Sequence, residues 1–471
     1  MSTQCSFDSM MFQASGGRQV VACFDGGEMS SDAGVLLLAE VERRTRILHE
    51  FARCFMDSRS AGRTEHTVES LVTQRVFGIA LGYEDLNDHD HLRKDQLFAV
   101  AIGSKDPEGK KRSRERDVGS ALAGKSTLNR MELSHVGSVE DDRYKRIAAI
   151  EPLIDHFMLS TFLRSCEEEP REIILDVDTT DDPVHGEQEG RYFHGYYGHY
   201  CYLPLYIFSG EHIILARLLP GNADAKTDLL PHLGRIVRNI RNKWSGTRII
   251  VRGDAGFMGD AIMSYCEEAG VDYVLGIAKN SVLLKKIRGS MRKAARRYRE
   301  TGKAVRVFQD VNYRTTRSWG CRRRVVAKAE HIEGGANPRF VVTSISSKER
   351  SARWIYEDLY CQRGDMENRI KEQQLDMFSD RTSTGSIAGN QLRLYFSSVA
   401  YMLMHALRRL GLTGTEMAKA QCGTIRTKLL KIGALVRVTA RKIWVSMPAA
   451  CPYAEIFRKV HTALLGVPLR N

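Results

Sequence analysis

The stretch ILDVDTTDDPVHGEQEG, residues 174–190, joins an apolar run to a concentration of negative charge. It contains six acids and no Lys or Arg, although the whole chain of 471 residues has a net charge of +13. The run that leads into it, REIILDV (171–177), predicts a buried strand that ends in carboxylates. In α/β sheets, ligand sites lie at strand ends, so this stretch is a candidate site.

The segments around this strand predict a mixed α/β order. Further strands are predicted at HYCYLPLYIF (199–208), EHIILARLL (211–219), TRIIVRGDAGF (247–257), VDYVLGIA (271–278) and NPRFVVTSI (337–345). Helices are predicted at TDLLPHLGRIVRNIRNKW (227–244), GDAIMSYCEEAG (259–270) and SARWIYEDLYCQRGDMENRIKEQQ (351–374). The first three strands permit an antiparallel meander, and the whole order suits a five-stranded sheet with helices on its faces.

The length of the chain favours two to four domains. We expect a mostly helical N-terminal region over 1–150, after a short strand near Gln19–Phe24, and a helix over 142–165. The α/β core is expected over 151–283 and 338–400, with an insertion at 284–337. The C-terminal region, 401–471, predicts a helix followed by a second helix and a strand pair.

The positive charge is concentrated in the insertion. Between Lys285 and Lys328 there are sixteen Lys or Arg and two acids, a net charge of +14 against +13 for the whole chain. Such a block indicates a polyanion partner, most simply nucleic acid. A solvated surface helix is the alternative, although these cations lack acidic neighbours in sequence.

Other classes of protein are disfavoured by composition. No apolar run of about 18 residues indicates a membrane span, and the first residues lack the pattern of a signal peptide. The ten cysteines are scattered without a CxxC pair, so we expect reduced thiols in a cytoplasm rather than disulfides or a zinc ribbon. A cluster of potential zinc ligands near the acidic stretch matches no firm zinc spacing: His185, His194, His199 and Cys201.

Three acids stand out by their context. Asp178 follows one apolar strand, Asp254 ends another, and Glu367 lies on the helix after the last strand. Carboxylates suit Mg²⁺ or Mn²⁺, and two such ions can act on a phosphodiester. Asp176, Asp178, Asp181 and Asp182 are all candidates for the first acid, although an extra Asp here is also typical of a turn or cap. Strand alternation puts Asp176 and Asp178 on the same face, so spacing leaves the choice between them open.

The helix that carries Glu367 has a polar stripe. Tyr360, Arg363, Glu367, Lys371 and Gln374 fall within an arc of roughly 80° at helical spacing. The stripe could present a metal ligand flanked by phosphate-binding groups. A solvated face with i,i+4 ion pairs is the alternative.

Long motifs of the chain resemble a bacterial transposase family. LDVDTTDDPVHGEQEG, GYYGHYCYLPLYIF, VRGDAGF and YCQRGDMENRIKEQQLDMFSDRTST are similar to the insertion-sequence DDE transposases of the insertion-sequence thirteen-eighty group, within the insertion-sequence four superfamily. QRVFGIALGYEDLNDHDHLRKD (74–95) and KSTLNRMEL (125–133) look like the same group, so the resemblance covers most of the chain.

The resemblance implies a ribonuclease H-like core with a DDE triad. Its first Asp, which precedes Thr, maps to Asp178, its second to Asp254, and its Glu to Glu367. Tyr360 and Arg363 match the Tyr-x2-Arg-x3-Glu-x6-Lys signature of the superfamily. The signature's final Lys is Gln374 here, which puts that lysine's role in doubt. The superfamily also inserts a β-rich domain before the Glu, and the basic insertion fits that place.

The implied activity is cleavage of DNA at terminal inverted repeats, followed by strand transfer by the freed 3′-OH. The resemblance implies two divalent ions, Mg²⁺ or Mn²⁺, held by Asp178, Asp254 and Glu367. Tyr360, Arg363 and the substitute candidate Lys371 would contact double-stranded DNA, as would the basic insertion. The insertion's most basic run is Arg322, Arg323 and Arg324.

The resemblance also implies a homodimer in the synaptic complex, no membrane, a nucleoid-associated protein of the bacterial cytoplasm, and an N-terminal region that reads the repeats. Two alternatives stay open. One is a DNA-binding relic with an inactive site. The other is a haloacid-dehalogenase-type phosphatase, because DVDTT fits its Asp-x-Asp-x-Thr pattern with Asp176 as nucleophile.

Overall fold

The computed structural model describes residues 9–134 and 144–470. The chain forms two compact units, one of Met1–Ala148 with Val399–Asn471 and one of Ala149–Ser398. Across the described ranges, no helix is long and apolar enough to cross a membrane. The functional division into four regions stays a prediction.

Strands and helices alternate along most of the chain. The strands are β1 (Met10–Ser15), β2 (Arg18–Ala22), β3 (Met29–Ser30), β4 (Phe55–Asp57), β5 (Ile147–Ala149), β6 (Glu172–Thr179), β7 (Asp182–Pro183), β8 (Tyr192–His194), β9 (His199–Ser209), β10 (His212–Pro220), β11 (Arg248–Gly253), β12 (Asp272–Ile277), β13 (Val305–Tyr313), β14 (Arg323–Ile332), β15 (Gly335–Ala336), β16 (Arg339–Thr343), β17 (Ala434–Val438) and β18 (Ile443–Ser446). The α-helices are α1 (Val35–Thr45), α2 (Ile47–Ala52), α3 (Val68–Leu81), α4 (His89–Leu92), α5 (Gln96–Ala101), α6 (Lys125–Glu132), α7 (Glu151–Ser165), α8 (Ala225–Lys243), α9 (Asp260–Glu268), α10 (Ser281–Lys286), α11 (Arg288–Thr301), α12 (Ala352–Trp354), α13 (Gly364–Met377), α14 (Ile387–Gly411), α15 (Cys422–Ile425) and α16 (Ala454–Gly466).

The main sheet belongs to the second unit and runs in the order β10-β9-β6-β11-β12-β16-β14-β13. β6, β9 and β10 form the predicted antiparallel meander. β11 then pairs in parallel with β6, and β12 pairs in parallel with β11. The two parallel pairs bring the carboxyl ends of β6, β11 and β12 to one edge of the sheet.

Helices cover both faces of this sheet. One face packs against apolar side chains of α7, α8 and α9, such as Phe162, Ile236 and Met263. The opposite face packs against the helical segment that follows β16, through buried Ile355 and Leu359. A sheet buried on both faces explains why its strands read as nearly continuous apolar runs.

The prediction of a five-stranded sheet is wrong, because the sheet continues past β12. β16 pairs with β12, β14 with β16, and β13 with β14, all antiparallel. Residues 284–337 therefore contribute strands to the core sheet. The same segment contains α11, which packs on β13 and β14. β13 and β14 carry basic side chains among their apolar residues, so the sequence pattern predicts a charged insertion here and not strands of the core sheet.

The helix predicted over 351–374 is one helical segment but not a uniform α-helix. α12 passes into a π-helical turn, Ile355–Tyr360, then a 3-10 turn, Cys361–Arg363, and then α13. The Arg252 side chain donates a hydrogen bond to the Leu359 carbonyl inside the π-helical turn. A side chain inserted into the backbone ladder is a common cause of such irregularity.

The helix predicted over 142–165 begins later than expected. Residues 142 and 143 lie outside the described ranges, and β5 occupies the next part of the segment. The helix α7 starts at Glu151 and carries Pro152 in its first turn. Proline is common at that position, because a backbone N–H in the first turn of a helix has no helical partner and its absence costs nothing there.

The first unit contains the predicted helices α1 and α3, and β1 and β2 form a hairpin where a single strand was predicted. The predicted C-terminal strand pair is β17 and β18, and β17 also pairs with β3 near the other end of the chain. The C-terminal helix α16 was not predicted.

Candidate active site

Asp178 lies near the carboxyl end of β6, and Asp254 follows the neighbouring parallel strand β11. The register of β6 and β11 sets Val177 beside Gly253, so the two aspartates are the next residues along the two chains. Asp254 leaves the strand and caps the 3-10 turn that follows, with its Oδ1 accepting a hydrogen bond from the Gly256 N–H at 2.8 Å. The sheet therefore fixes the backbone that carries both carboxylates.

Glu367 reaches the same edge from α13, and Arg363 connects it to the strands. The Arg363 Nη1 donates to Asp178 Oδ2 at 2.7 Å, and its Nη2 donates to Glu367 Oε1 at 2.6 Å. The guanidinium thus lies between carboxylates that are 189 positions apart in the sequence. The three predicted acids share one site.

Three carboxylates lie close together in this site, and burial together with their mutual repulsion affects the pKa of Asp178. Burial raises the pKa of Asp178 to about 7, and the carboxylates of Asp254 and Glu367 raise it as well, although Arg363 acts in the opposite direction. A cation placed among these groups would relieve their repulsion.

The donor set is chemically suited to a hard divalent cation, because all three side chains offer carboxylate oxygens. With Arg363 between two of them, the described residues include no group of three or more His, Cys, Asp or Glu arranged to hold a metal ion. The carboxylates could therefore act together on an ion after the guanidinium moves aside.

Asp176 has a different environment from Asp178. The Arg252 Nε donates to Asp176 Oδ1 at 2.5 Å, and its Nη2 donates to Asp176 Oδ2 at 2.8 Å. Both residues are about 5% exposed, and Arg252 Nη1 also donates to the Leu359 carbonyl at 2.6 Å. The pair joins β6, β11 and the helical segment that leads to Glu367.

Tyr360 lies against the strand ends rather than on an open helix face. A Cβ atom added at Gly276 would come within 2.7 Å of the Tyr360 hydroxyl and 3.1 Å of the Asp254 carbonyl carbon. Burial raises the pKa of the Tyr360 phenol. The absence of a side chain at Gly276 therefore allows this close approach.

Gln374, which replaces the signature lysine, ties α13 to the loop after β6. Its Nε2 donates to Asp182 Oδ1 at 3.0 Å and to the Asp181 carbonyl at 3.3 Å. Asp182 is fully buried, and burial raises its pKa well above the usual range. Its Oδ2 has no hydrogen-bond partner among the described residues.

The other predicted DNA contacts are not equivalent. Lys371 and Arg322 are exposed. Arg323 is buried, with ion pairs to Asp260 and Glu267 at 2.6 Å each. Arg324 donates to Asp310 at 2.7 Å and to two backbone carbonyls. The three consecutive arginines therefore do not present one common surface.

The helix α11 carries about half of the exposed cations of the basic insertion. This helix buries Ala294 against the sheet, and Ser290 donates to Gln309 of β13 at 2.7 Å. Its outer side carries six exposed cations: Arg288, Arg292, Lys293, Arg296, Arg297 and Arg299. Within the described ranges only Arg296 has an acidic partner, Glu300 at 3.7 Å.

Of the four candidate zinc ligands, His185 is exposed, and His199 and Cys201 have other surroundings. His199 Nε2 is 2.8 Å from Asp181 Oδ2. Cys201 is buried, and burial raises the pKa of its thiol to about 11.

Sequence reasoning missed Arg252. A usable signal existed, since a charge that follows the apolar run at 249–251 within a strand must find a buried partner. Asp182 is among the candidate aspartates, but its tie to Gln374 carried no signal, because DDP also reads as an ordinary turn.

Comparison with known families agrees with this geometry. The profile of the family described as Transposase DDE domain group 1 matches residues 12–468, and comparison with curated proteins gives no match. The matched range includes both strand-end aspartates, the glutamate on α13 and nearly all of the remaining chain. The protein is therefore a DDE transposase of the Transposase DDE domain group 1 family.

Proposed function

We propose that this transposase cuts DNA at the terminal inverted repeats of an insertion sequence and joins the freed 3′-OH to target DNA. The observation that carries the proposal is the convergence of Asp178, Asp254 and Glu367 at one edge of the sheet, where Arg363 bridges two of them. Three carboxylates from distant segments suit phosphodiester chemistry that depends on divalent cations.

The same three carboxylates would hold two divalent ions, either Mg²⁺ or Mn²⁺. Bound cations would activate water, or later the 3′-OH, and would stabilise the leaving oxygen. The protein's own part is to fix Asp178 and Asp254 on adjacent strands and to bring Glu367 to them on α13. Asp176, held by Arg252, serves the scaffold.

We also propose a ribonuclease H-like core. The strand order β10-β9-β6-β11-β12, with an antiparallel meander and two parallel additions, supports this assignment. The inserted basic region would then be an elaboration of the same sheet. Membership of the insertion-sequence thirteen-eighty group rests on the motif resemblance.

The DNA backbone would contact the residues around the triad. Arg363 could exchange its carboxylate partners for a phosphate, with Tyr360 beside it and Lys371 exposed on α13. Arg322 and the outer side of α11 would supply further phosphate contacts, since among these cations only Arg296 has an acidic partner in the part of the chain that the structure describes. Arg323 and Arg324 are less available, because their guanidinium groups bind acids and carbonyls within the protein.

By analogy with the family, two protomers would hold the two ends of the element in a synaptic complex. The N-terminal region would read the inverted repeats. The protein would work at the nucleoid in a bacterial cytoplasm.

Cutting of a labelled duplex tests this proposal. The duplex carries the DNA that flanks this gene, and it is incubated with the protein in Mg²⁺, in Mn²⁺ and in EDTA. Metal-dependent cuts at the element boundary, leaving a 3′-OH, are expected. Binding without cutting would favour the inactive DNA-binding relic and contradict the proposal.

The phosphatase alternative is tested by hydrolysis of p-nitrophenyl phosphate in the same buffers. We expect none, because Arg252 binds both oxygens of the carboxylate that would be the nucleophile, Asp176. Hydrolysis of p-nitrophenyl phosphate without DNA cutting would favour the phosphatase and contradict the proposed transposase activity.

A further inference from the structure

A large cleft in the first unit has walls rich in arginine. It has a volume of about 1230 Å³ and is formed by segments between Ser58 and Ile147. Seven arginines and three acids line it. Its volume exceeds the roughly 300–1,000 Å³ typical of small-molecule sites, and those sites are mostly apolar.

Three of these arginines are neutralised by nearby acids. Arg59 binds Asp57 at 2.8 Å, and Arg93 binds Asp117 at 2.7 Å. Arg112 binds Glu65 at 2.8 Å. The pairs of Arg93 and Arg112 join separate segments of the wall.

Arg114 and Arg116 supply much of that remaining charge. Both are exposed, and in the part of the chain that the structure describes only the backbone carbonyl of Arg114 has a hydrogen-bond partner, the Asp117 N–H, whereas its side chain has none. Arg116 is 4.0 Å from Asp117, which already binds Arg93. Both guanidinium groups are therefore available to a ligand.

An aromatic ring lies beside a third cation in the same cleft. Arg130 lies over the Tyr144 ring, 5.1 Å from its centroid, and the tyrosine is 61% exposed. Available arginines next to an exposed ring are typical of surfaces that bind a sugar–phosphate backbone and stack a base. Guanidinium groups also match phosphate oxygens in geometry.

We infer that this arginine cleft binds the sugar–phosphate backbone of DNA, at a place distinct from the acidic site and from α11. The inference rests on the proposed function, which supplies the DNA ends as ligand. The contacts are to phosphate, so they contribute affinity and register rather than base recognition.

The salt dependence of DNA binding tests the inference. The double variant Arg114→Ala/Arg116→Ala is compared with the wild type by fluorescence anisotropy on an element-end duplex at several NaCl concentrations. Each phosphate contact contributes about 0.9 to the slope of log K against log salt, so the slope should become shallower by about 2. Binding of a scrambled duplex should weaken by the same factor.

The control is Arg53→Ala, which removes an arginine whose side chain is 70% exposed and does not line the cleft. It should leave the slope within about 0.3 of the wild-type value. An unchanged slope in the double variant would overturn the inference. Displacement of the duplex by millimolar mononucleotide, beyond that by NaCl of equal ionic strength, would also overturn it by indicating a small-anion site.

Failure of the inference is distinguishable from failure of the proposed function. Metal-dependent cutting by the wild type, with an unchanged slope in the double variant, rejects only the cleft. A shallower slope without any cutting by the wild type supports the cleft and rejects the catalytic proposal.

Discussion

Asp176 and Asp178 are two residues apart on one strand, yet their carboxylates have different partners. Arg252 on the adjacent strand binds both oxygens of Asp176, whereas Arg363 binds one oxygen of Asp178 and the Thr179 N–H donates to the other. Alternation along the strand could not separate them, because the difference arises from a neighbouring strand more than seventy residues away. The resemblance to the family selects Asp178, and that assignment stays a proposal.

Removal of Asp176 is expected to destabilise the second unit. Asp176→Ala leaves the Arg252 guanidinium buried without its counter-charge, which typically costs about 3–5 kcal/mol. The urea midpoint should fall at unchanged slope. Asp178→Asn on the same face should cost far less, since it relieves repulsion among the acids. Equal losses for the two variants would contradict the distinction.

Stability should also depend on the buried imidazole of His89 in the first unit. The side chain is 0% exposed, and burial lowers its pKa to about 3, below the ordinary value of 6.5. The unfolded chain therefore binds a proton that the folded chain excludes. The contribution of the neutral imidazole is present above pH 6.5 and is lost as the pH falls toward 3, by about 1.4 kcal/mol per unit.

His89→Gln removes this titration. Urea unfolding at pH 7, 6 and 5 should show the wild type losing stability faster than the variant, so that the difference between them narrows with acid. A difference that stays constant with pH would show that His89 is not excluded from protonation.

At the scale of elements, the helix that carries Glu367 departs most from simple periodicity. A uniform α-helix over 351–374 would place the polar residues in one stripe, but the π-helical turn and the 3-10 turn interrupt it before α13. Arg363 and Glu367 keep their i,i+4 relation, whereas Tyr360 lies against the sheet edge. Spacing alone could not reveal this, because the irregularity coincides with a hydrogen bond from Arg252.

The tie between α13 and the loop after β6 depends on Gln374. Gln374→Ala should leave both oxygens of the buried Asp182 without a side-chain partner, at a cost of about 1–3 kcal/mol in unfolding free energy. Leu375→Ala is the matched control on the same helix, since that residue is 72% exposed. Equal urea midpoints for the two variants would show that the tie contributes nothing to stability.

At the scale of the whole chain, the order of β6, β9, β10, β11 and β12 was predictable because each is an apolar run bounded by turn signals. The number of strands in the sheet was not predictable, because the basic residues of β13 and β14 interrupt the apolar pattern that indicates a core strand. The pairing of β17 with β3 joins segments about 400 residues apart in sequence, and local patterns carry no information about such contacts. The three acids were predicted from their context and by motif resemblance, whereas the partners of Arg252 and Asp182 became recognisable only through the packing of distant segments.

We propose that the three converging carboxylates make this chain a DNA-cutting enzyme. The most direct measurement is the single-turnover cutting of an element-end duplex in Mg²⁺ by Asp254→Asn beside the wild type, with binding of the same duplex measured in parallel. The variant should bind the duplex within a few-fold of the wild type and cut it more than about 100-fold more slowly, since loss of a direct metal ligand exceeds the usual effect of its supporting groups. Cutting by Asp254→Asn at the wild-type rate would contradict the triad.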